Sequence, residues 1–409
     1  MISERMAEIH SDIRGDLYEE SIKMQNEGKT ILKLNTGNPG VFGFKMPESV
    51  KKSMLENIDL SVPYCDFRGM SSARKSICDY HKQQGIKNIS EDDVYITNGV
   101  SEGVNILCLS LLNSGDEVLL PTPCYSLWSN SVRLASANPK FYYCDENNNW
   151  NPDIDDIKSK ITKKTKAILL INPNNPTGAV YSKDTVLEIL KLASKHNLLV
   201  FSDEIYDRLV YPEYSFVSTA AIATDDLTVI TTNGLSKSHL ICGMRCGWFV
   251  ISGPQKNCDE IKFSVNKMCA MRLCANSLMQ TVIPFALEDE KSTKSMILPG
   301  GRLYEQRKAS MDILKEIQGV SCVSPQAAFY CFPKIDDKVY PVFNDHEFCL
   351  NLLHNQSILV VPGSAFEYNN HNHFRIVMLP EKDILADAVK KIEIELLKQL
   401  KSLCHNHKL

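Results

Sequence analysis

The stretch "LTVITTNGLSKSHLICGMRCGWFVIS", residues 227–252, decides how this chain is read. It opens on β-branched and apolar residues that suit a buried strand. It then places one amine, Lys237, between Gly234 and Arg245 before a second apolar run begins. Lysine is ordinarily a solvated surface charge, and taken alone Lys237 fits that description. Its companions give it weight. Gly234 and Ser236 are small enough for the backbone to approach a bound group closely, and Arg245, among further glycines, is a natural ligand for an anion.

Outward from this stretch the same pattern recurs. From about residue 92, short apolar runs ("DVYIT", "EVLLP", "KFYYC", "AILLIN", "LLVFSD") alternate with helical segments such as "SEGVNILCLSLL" and "KDTVLEILKLASKHN". Strands alternating with helices predict a mostly parallel sheet covered on both faces, and the unbroken apolar runs fit strands buried on both sides. After about residue 290 the pattern changes. A helix, further short strands and a long amphipathic C-terminal helix predict a smaller α+β domain. Residues 1–28 read as one helix carrying Ile9, Ile13 and Leu17 at helical spacing. The expected division is an N-terminal segment (1–45) packing with the small domain, a large domain (46–290) and the small domain proper (291–409), with a cleft between the two.

The 409 residues, with 44% hydrophobic and 23% charged content, suffice for a large core without disulfides. A formal net charge of −4 and the lack of a long basic run argue against nucleic acid as a partner. The longest apolar stretches are too short to cross a bilayer, and "MISERMAEIHSDIR" lacks the apolar centre of a signal peptide. The 14 cysteines form no CxxC pair, and Cys108 and Cys331 fall inside apolar runs. This reads as a reducing, cytoplasmic compartment, which makes the sequons at Asn88 and Asn355 chance matches. The final "HKL" is a faint echo of a peroxisomal tail. His371, His373 and the "HNH" near the end lack companions at ligand spacing, so no metal is expected.

Three motifs fall at the C-terminal ends of expected parallel strands, where open α/β sheets place ligands. "INPNNPTG", residues 171–178, is either a tight turn or a stiffened loop presenting an asparagine amide. In "FSDEIYDRLVY", residues 201–211, Asp203 ends an apolar strand and Tyr206 follows. A buried carboxylate there needs a partner, although a plain helix N-cap is the competing reading. The third motif is the opening stretch with Lys237. An amine, an anion-binding arginine, a buried aspartate and an asparagine amide together suggest a single cofactor.

"NPNNPTG", "SDEIYD", "SKSHLICGMRCGW" and "FRIVMLP" occur in an order that resembles the fold type I pyridoxal-phosphate aminotransferases, the aspartate aminotransferase superfamily, over essentially the whole chain. "DIRGDLYEE", "ILKLNTGNPG", "TNGVSEG", "LLNSGDEVLLPTP", "PGGRLYEQR" and "MRLCAN" resemble the bacterial alanine (glutamate–pyruvate) aminotransferase subgroup. The resemblance implies pyridoxal 5′-phosphate bound covalently through Lys237, which also moves the proton in catalysis. It implies that Asp203 pairs with the ring nitrogen, that Tyr206 and Asn175 bond the 3′-oxygen, and that Tyr125 stacks on the ring. The backbone of Val100 and Ser101 at a helix start, with Arg245, would hold the phosphate. Tyr64 would reach the phosphate of a neighbouring subunit, implying a homodimer with shared sites. Arg375 would clamp the substrate carboxylate, assisted by Asn175 and the Gly37 backbone. Many members carry a serine where this chain has Gly234, so Ser236 is a weaker phosphate candidate than Arg245. Arg272 is read equally as a ligand for a second substrate carboxylate and as a structural salt bridge at the dimer interface.

The expected activity is amino transfer from L-alanine to 2-oxoglutarate. The same cofactor also serves other amino-acid specificities and C–S β-elimination. A regulatory module without catalysis is the remaining alternative.

Overall fold

The computed structural model describes residues 2–10 and 12–406, without the side chains of residues 12 and 401–406. The "HKL" tripeptide and the side chains of the "HNH" histidines therefore lie outside the described residues.

The centre is an eight-stranded sheet. Its strands lie in the order Val94–Asn98, Cys246–Ser252, Val229–Gly234, Leu199–Asp203, Thr165–Ile171, Glu117–Thr122, Asn138–Asp145 and Asn151–Pro152. The pairs from Val229–Gly234 through Asn138–Asp145 are all parallel. Cys246–Ser252 is antiparallel to both its neighbours, and the two-residue edge strand is antiparallel as well. The reversal at Cys246 has a simple cause. The link from Gly234 holds the one-turn helix Leu235–Ser238 and a short 3-10 turn, not the crossover helix that a parallel return needs.

Adjacent residues of each central strand serve opposite faces. Leu120, Leu169 and Phe201 pack with Val104, Leu107, Trp128 and Val265 on one side. Leu119, Ile168 and Val200 pack with Ile157, Val186, Ile189 and Leu190 on the other. Burial on both faces is why these strands read as continuous apolar runs rather than alternating ones.

A separate core joins both chain ends. Leu17, Met24, Ile31 and Leu34 pack with Leu314, Phe348, Leu352, Phe374, Val389 and Ile392. Leu32–Lys33 adds a parallel pair to Ile358–Leu359. Tyr330–Cys331 and Val361–Pro362 flank Phe374–Val377 in a three-stranded antiparallel sheet.

The single N-terminal helix expected over 1–28 is not formed. The segment makes 3-10 turns at Glu4–Glu8 and Asp12–Arg14, and the α-helix runs only from Asp16 to Asn26, behind Gly15. Tertiary contacts override the periodicity. Arg5 donates to the carbonyl of Leu134 at 3.0 Å, and the backbone of His10 exchanges hydrogen bonds with the Asn130 side chain. The first residues are thereby drawn across the helix Ser126–Leu134.

Candidate active site

The parallel strands end along one edge, and that edge forms the floor of a cavity of about 710 Å³. Asp203 is the last residue of its strand, Lys237 follows Val229–Gly234, Asn175 follows Thr165–Ile171, and Tyr125 and Val100 follow two others. All five line the cavity, as do Gly37, Ser101, Tyr206, Ser236, Arg245 and Arg375.

Lys237 sits in the single turn Leu235–Ser238, held from several sides. A Cβ on Gly234 would lie 2.6 Å from the Cys246 carbonyl oxygen, so only glycine lets the turn close against the neighbouring strand. The Asn233 side chain accepts from the Gly234 N–H at 2.7 Å and donates to Asp207 at 2.7 Å. His239 donates Nε2–H to the Ala286 carbonyl at 2.6 Å and accepts from Ser238, and burial pushes its pKa down to about 4, so the ring is neutral. From this fixed turn the Lys237 amine donates to the Gly37 carbonyl at 3.1 Å.

Asp203 is buried in the wall of the same cavity. It accepts from Trp128 Nε1 at 2.8 Å and from the Ile205 N–H at 3.3 Å. Two neutral donors do not replace bulk water, and burial raises its pKa from 3.8 to about 6. Because the folded-state value is the higher one, the neutral acid is favoured. Its contribution to stability is full below 3.8 and is lost as pH rises through about 6. The ligand-free protein is therefore expected to lose up to about 3 kcal/mol of stability over this window relative to an Asp203→Asn variant, read as a falling melting temperature. A thermal melt series from pH 4 to 7 on both proteins checks it, and parallel curves would contradict it. A cation placed against Asp203 would remove the penalty.

Tyr206 is buried and its hydroxyl lies 2.9 Å from that of Tyr330. Arg375 is 2% exposed, although it carries a full charge. Its guanidinium donates to Asn175 Oδ1 at 2.8 Å and to the Asn35 carbonyl, and it stacks on Tyr330 and Phe366. Its Nε has no partner, and no carboxylate faces it among the described residues. A buried cation whose hydrogen bonds all go to neutral oxygens is suited to an anion.

The opposite end is suited to a second anion. The helix Val100–Leu111 begins after Gly99, which has φ +78°, and its first N–H groups open toward the cavity. Arg245 packs over Gly99 so tightly that a Cβ there would lie 2.2 Å from Nη2. Arg245 itself donates to the Cys242 carbonyl at 2.8 Å and remains exposed.

Two residues named from sequence lie elsewhere. Arg272 is absent from the cavity wall of its own chain. It donates to the Ile96 carbonyl at 2.7 Å and pairs with Glu102 of the same chain at 3.4 Å. Tyr64 is 78% exposed and also outside the cavity. His371 faces Asp345 at 3.3 Å, whereas His373 is buried against Phe332 and faces Glu146 at 3.4 Å.

Sequence reasoning passed over Trp128, Tyr330 and Arg14. Trp128, on the helix Ser126–Leu134, donates its Nε1–H to Asp203, a contact 75 residues apart in sequence that no local spacing points to. Tyr330, in the two-residue strand Tyr330–Cys331, and Arg14, in a single 3-10 turn, line the cavity from elements too short to carry a periodic signal.

Residues 29–392 match the family model described as aminotransferase class I and II. The chain belongs to the class I and II aminotransferases. This aminotransferase is 45% identical over 390 residues to the glutamate-pyruvate aminotransferase AlaA of Haemophilus influenzae, covering 95% of this chain and 96% of that one. It is 41% identical to the alanine aminotransferase of Mycobacterium tuberculosis, covering 95% and 91% of the two chains. The crystal structure of an aminotransferase from Escherichia coli superposes with a TM-score of 0.95 at 43% identity, covering 97% of this chain and 98% of that one. The mostly parallel sheet flanked by helices is the architecture expected from sequence.

Proposed function

We propose that this aminotransferase uses pyridoxal 5′-phosphate to move an amino group between L-alanine and 2-oxoglutarate, giving pyruvate and L-glutamate. One observation carries the reading: Arg375, a buried cation without an acidic partner among the described residues, shares a cavity with the Lys237 amine and the Asp203 carboxyl. The names of the Haemophilus influenzae and Mycobacterium tuberculosis relatives support the choice of alanine and glutamate.

The residues fit the cofactor. Asp203 offers a carboxyl that burial has made costly to ionise alone, suited to a protonated ring nitrogen. The Val100 and Ser101 backbone, Arg245 and the nearby Ser236 offer donors for a phosphate, and Tyr125 offers a ring face. Tyr206 and Asn175 offer partners for the 3′-oxygen. Bound pyridoxal phosphate supplies an aldehyde for the Lys237 amine and a ring that accepts the electron pair left when the substrate Cα–H bond breaks.

Within that frame each residue has a physical task. Lys237 would hold the cofactor, and its amine, poised over the cavity, would carry the proton to and from the substrate Cα. Asp203 would pair with the ring nitrogen and favour its protonated form. Arg375 forms a charge-assisted, forked contact with the α-carboxylate, with Asn175 and the Gly37 backbone beside it, and so fixes which Cα bond faces Lys237.

The second chain of a homodimer completes the site. Val62, Tyr64, Leu55, Leu60 and Met271 are 84%, 78%, 69%, 57% and 79% exposed, which is a large apolar surface for one chain to leave in water. Tyr64 from the partner would add a phosphate contact. The protein is expected to sediment as a dimer, and Tyr64→Phe is expected to weaken pyridoxal phosphate binding roughly tenfold, the loss of one charge-assisted hydrogen bond. Unchanged affinity, read by equilibrium dialysis, would remove Tyr64 from the site. The 13 described cysteines are all free thiols, in keeping with a reducing, cytoplasmic setting, and no described helix is long and apolar enough to cross a membrane.

A panel of amino donors against pyruvate and 2-oxoglutarate tests the activity. Alanine with 2-oxoglutarate is expected to turn over fastest. Release of pyruvate with free ammonia and no new amino acid would instead favour β-elimination.

A further inference from the structure

The hydroxyl pair Tyr206–Tyr330 constrains where one proton points. The oxygens lie 2.9 Å apart and both residues are 2% exposed. Each phenol has one proton to give and can accept through its lone pairs. No other hydrogen bond is made by either hydroxyl among the described residues. Two arrangements are possible. If Tyr206 gives its proton to Tyr330, its oxygen turns only lone pairs toward the cavity. If Tyr330 gives its proton to Tyr206, the Tyr206 proton is free to point into the cavity.

We propose that Tyr330 is a positioning residue: it donates to the Tyr206 oxygen and thereby commits the Tyr206 proton to the 3′-oxygen of bound pyridoxal phosphate. This rests on the Tyr206 assignment given above. Only this arrangement gives all three oxygens a compatible partner, because the cofactor oxygen carries negative charge and must receive a proton rather than face lone pairs. A donated hydrogen bond also polarises the next one in a chain, strengthening what Tyr206 offers.

The surroundings fix Tyr330 for this task. Its strand pairs with Phe374–Val377, the strand that carries Arg375. Arg375 lies 4.5 Å from the Tyr330 ring centroid, and the Tyr206 and Tyr330 rings meet edge to face at 5.8 Å. Gly37 makes room for the hydroxyl, since a Cβ there would lie 2.5 Å from the Tyr330 oxygen. Tyr330 therefore touches the two groups that meet opposite ends of the reaction: Arg375 through its ring and Tyr206 through its oxygen.

The test is a pH titration of the cofactor absorbance in the full-length protein loaded with pyridoxal phosphate. Its midpoint reads the proton on the Lys237–cofactor linkage, which a hydrogen bond to the 3′-oxygen lowers. Tyr330→Phe keeps the ring against Arg375 and is expected to raise the midpoint by about half a pH unit, a modest cooperative effect. Its KM for the amino acid is expected to stay within about twofold. Tyr206→Phe is expected to raise the midpoint further, and the double variant is expected to match Tyr206→Phe alone. An unmoved midpoint in Tyr330→Phe would overturn the proposal, as would additive shifts in the double variant, because Tyr330 would then act without Tyr206. A midpoint unmoved by Tyr206→Phe would instead sink the Tyr206 assignment, and this inference with it.

Discussion

Replacing Lys237 with alanine is expected to lower turnover by at least about a thousandfold, since it removes both the covalent anchor and the proton carrier. The substitution should leave the fold intact. The turn Leu235–Ser238 is held by Gly234, Asn233, Ser238 and His239, and the amine itself makes one hydrogen bond, to Gly37. Pyridoxal phosphate is expected to bind the variant noncovalently through Asp203, Arg245 and the helix N-terminus at Val100. Borohydride trapping followed by peptide mass measurement checks the assignment. Wild-type protein should carry the label on the peptide containing residue 237, and the variant should carry none. A labelled variant, or one with ordinary turnover, would place the reactive amine elsewhere.

Arg375→Ala is expected to cost about 3 kcal/mol in kcat/KM, or roughly a hundredfold, by taking a desolvated charge pair from the substrate carboxylate. Most of the loss should appear in KM, because the carboxylate is bound in ground state and transition state alike. Arg375→Lys should recover only part of it. A lysine keeps the charge but cannot match the planar fork that reaches both Asn175 and the substrate. Steady-state kinetics with alanine and with glutamate would separate these outcomes. An unchanged KM for both amino acids would move the carboxylate site away from Arg375.

How much of this was legible beforehand differs from residue to residue. Asp203 and Lys237 could be found because Asp203 ends an apolar strand and Lys237 follows one closely, and strand ends in a parallel sheet share one edge. Gly234 was legible as a small residue but not as a necessary one, since the clash that requires glycine comes from the Cys246 carbonyl on the neighbouring strand. Arg272 had two equal readings because nothing local to "MRLCAN" says whether its guanidinium faces the cavity or Glu102. The N-terminal periodicity misled. Ile9, Ile13 and Leu17 do lie at helical spacing, yet contacts with Leu134 and Asn130 hold the first residues in short turns.

The sequence by itself determined the alternation of strands and helices, and with it which chemical groups stand at the strand ends. These are local properties, set by the period of apolar residues and by neighbours a few positions away. Only the tertiary structure decided that Arg375 is buried without a counter-ion among the described residues, since its partners Asn175 and Asn35 lie 200 and 340 residues away along the chain. It likewise decided that Tyr330 meets Tyr206, 124 residues before it. The physical reason is the same in each case: a charge or a hydroxyl acquires its meaning from what surrounds it after burial, and segments far apart in the chain supply those surroundings.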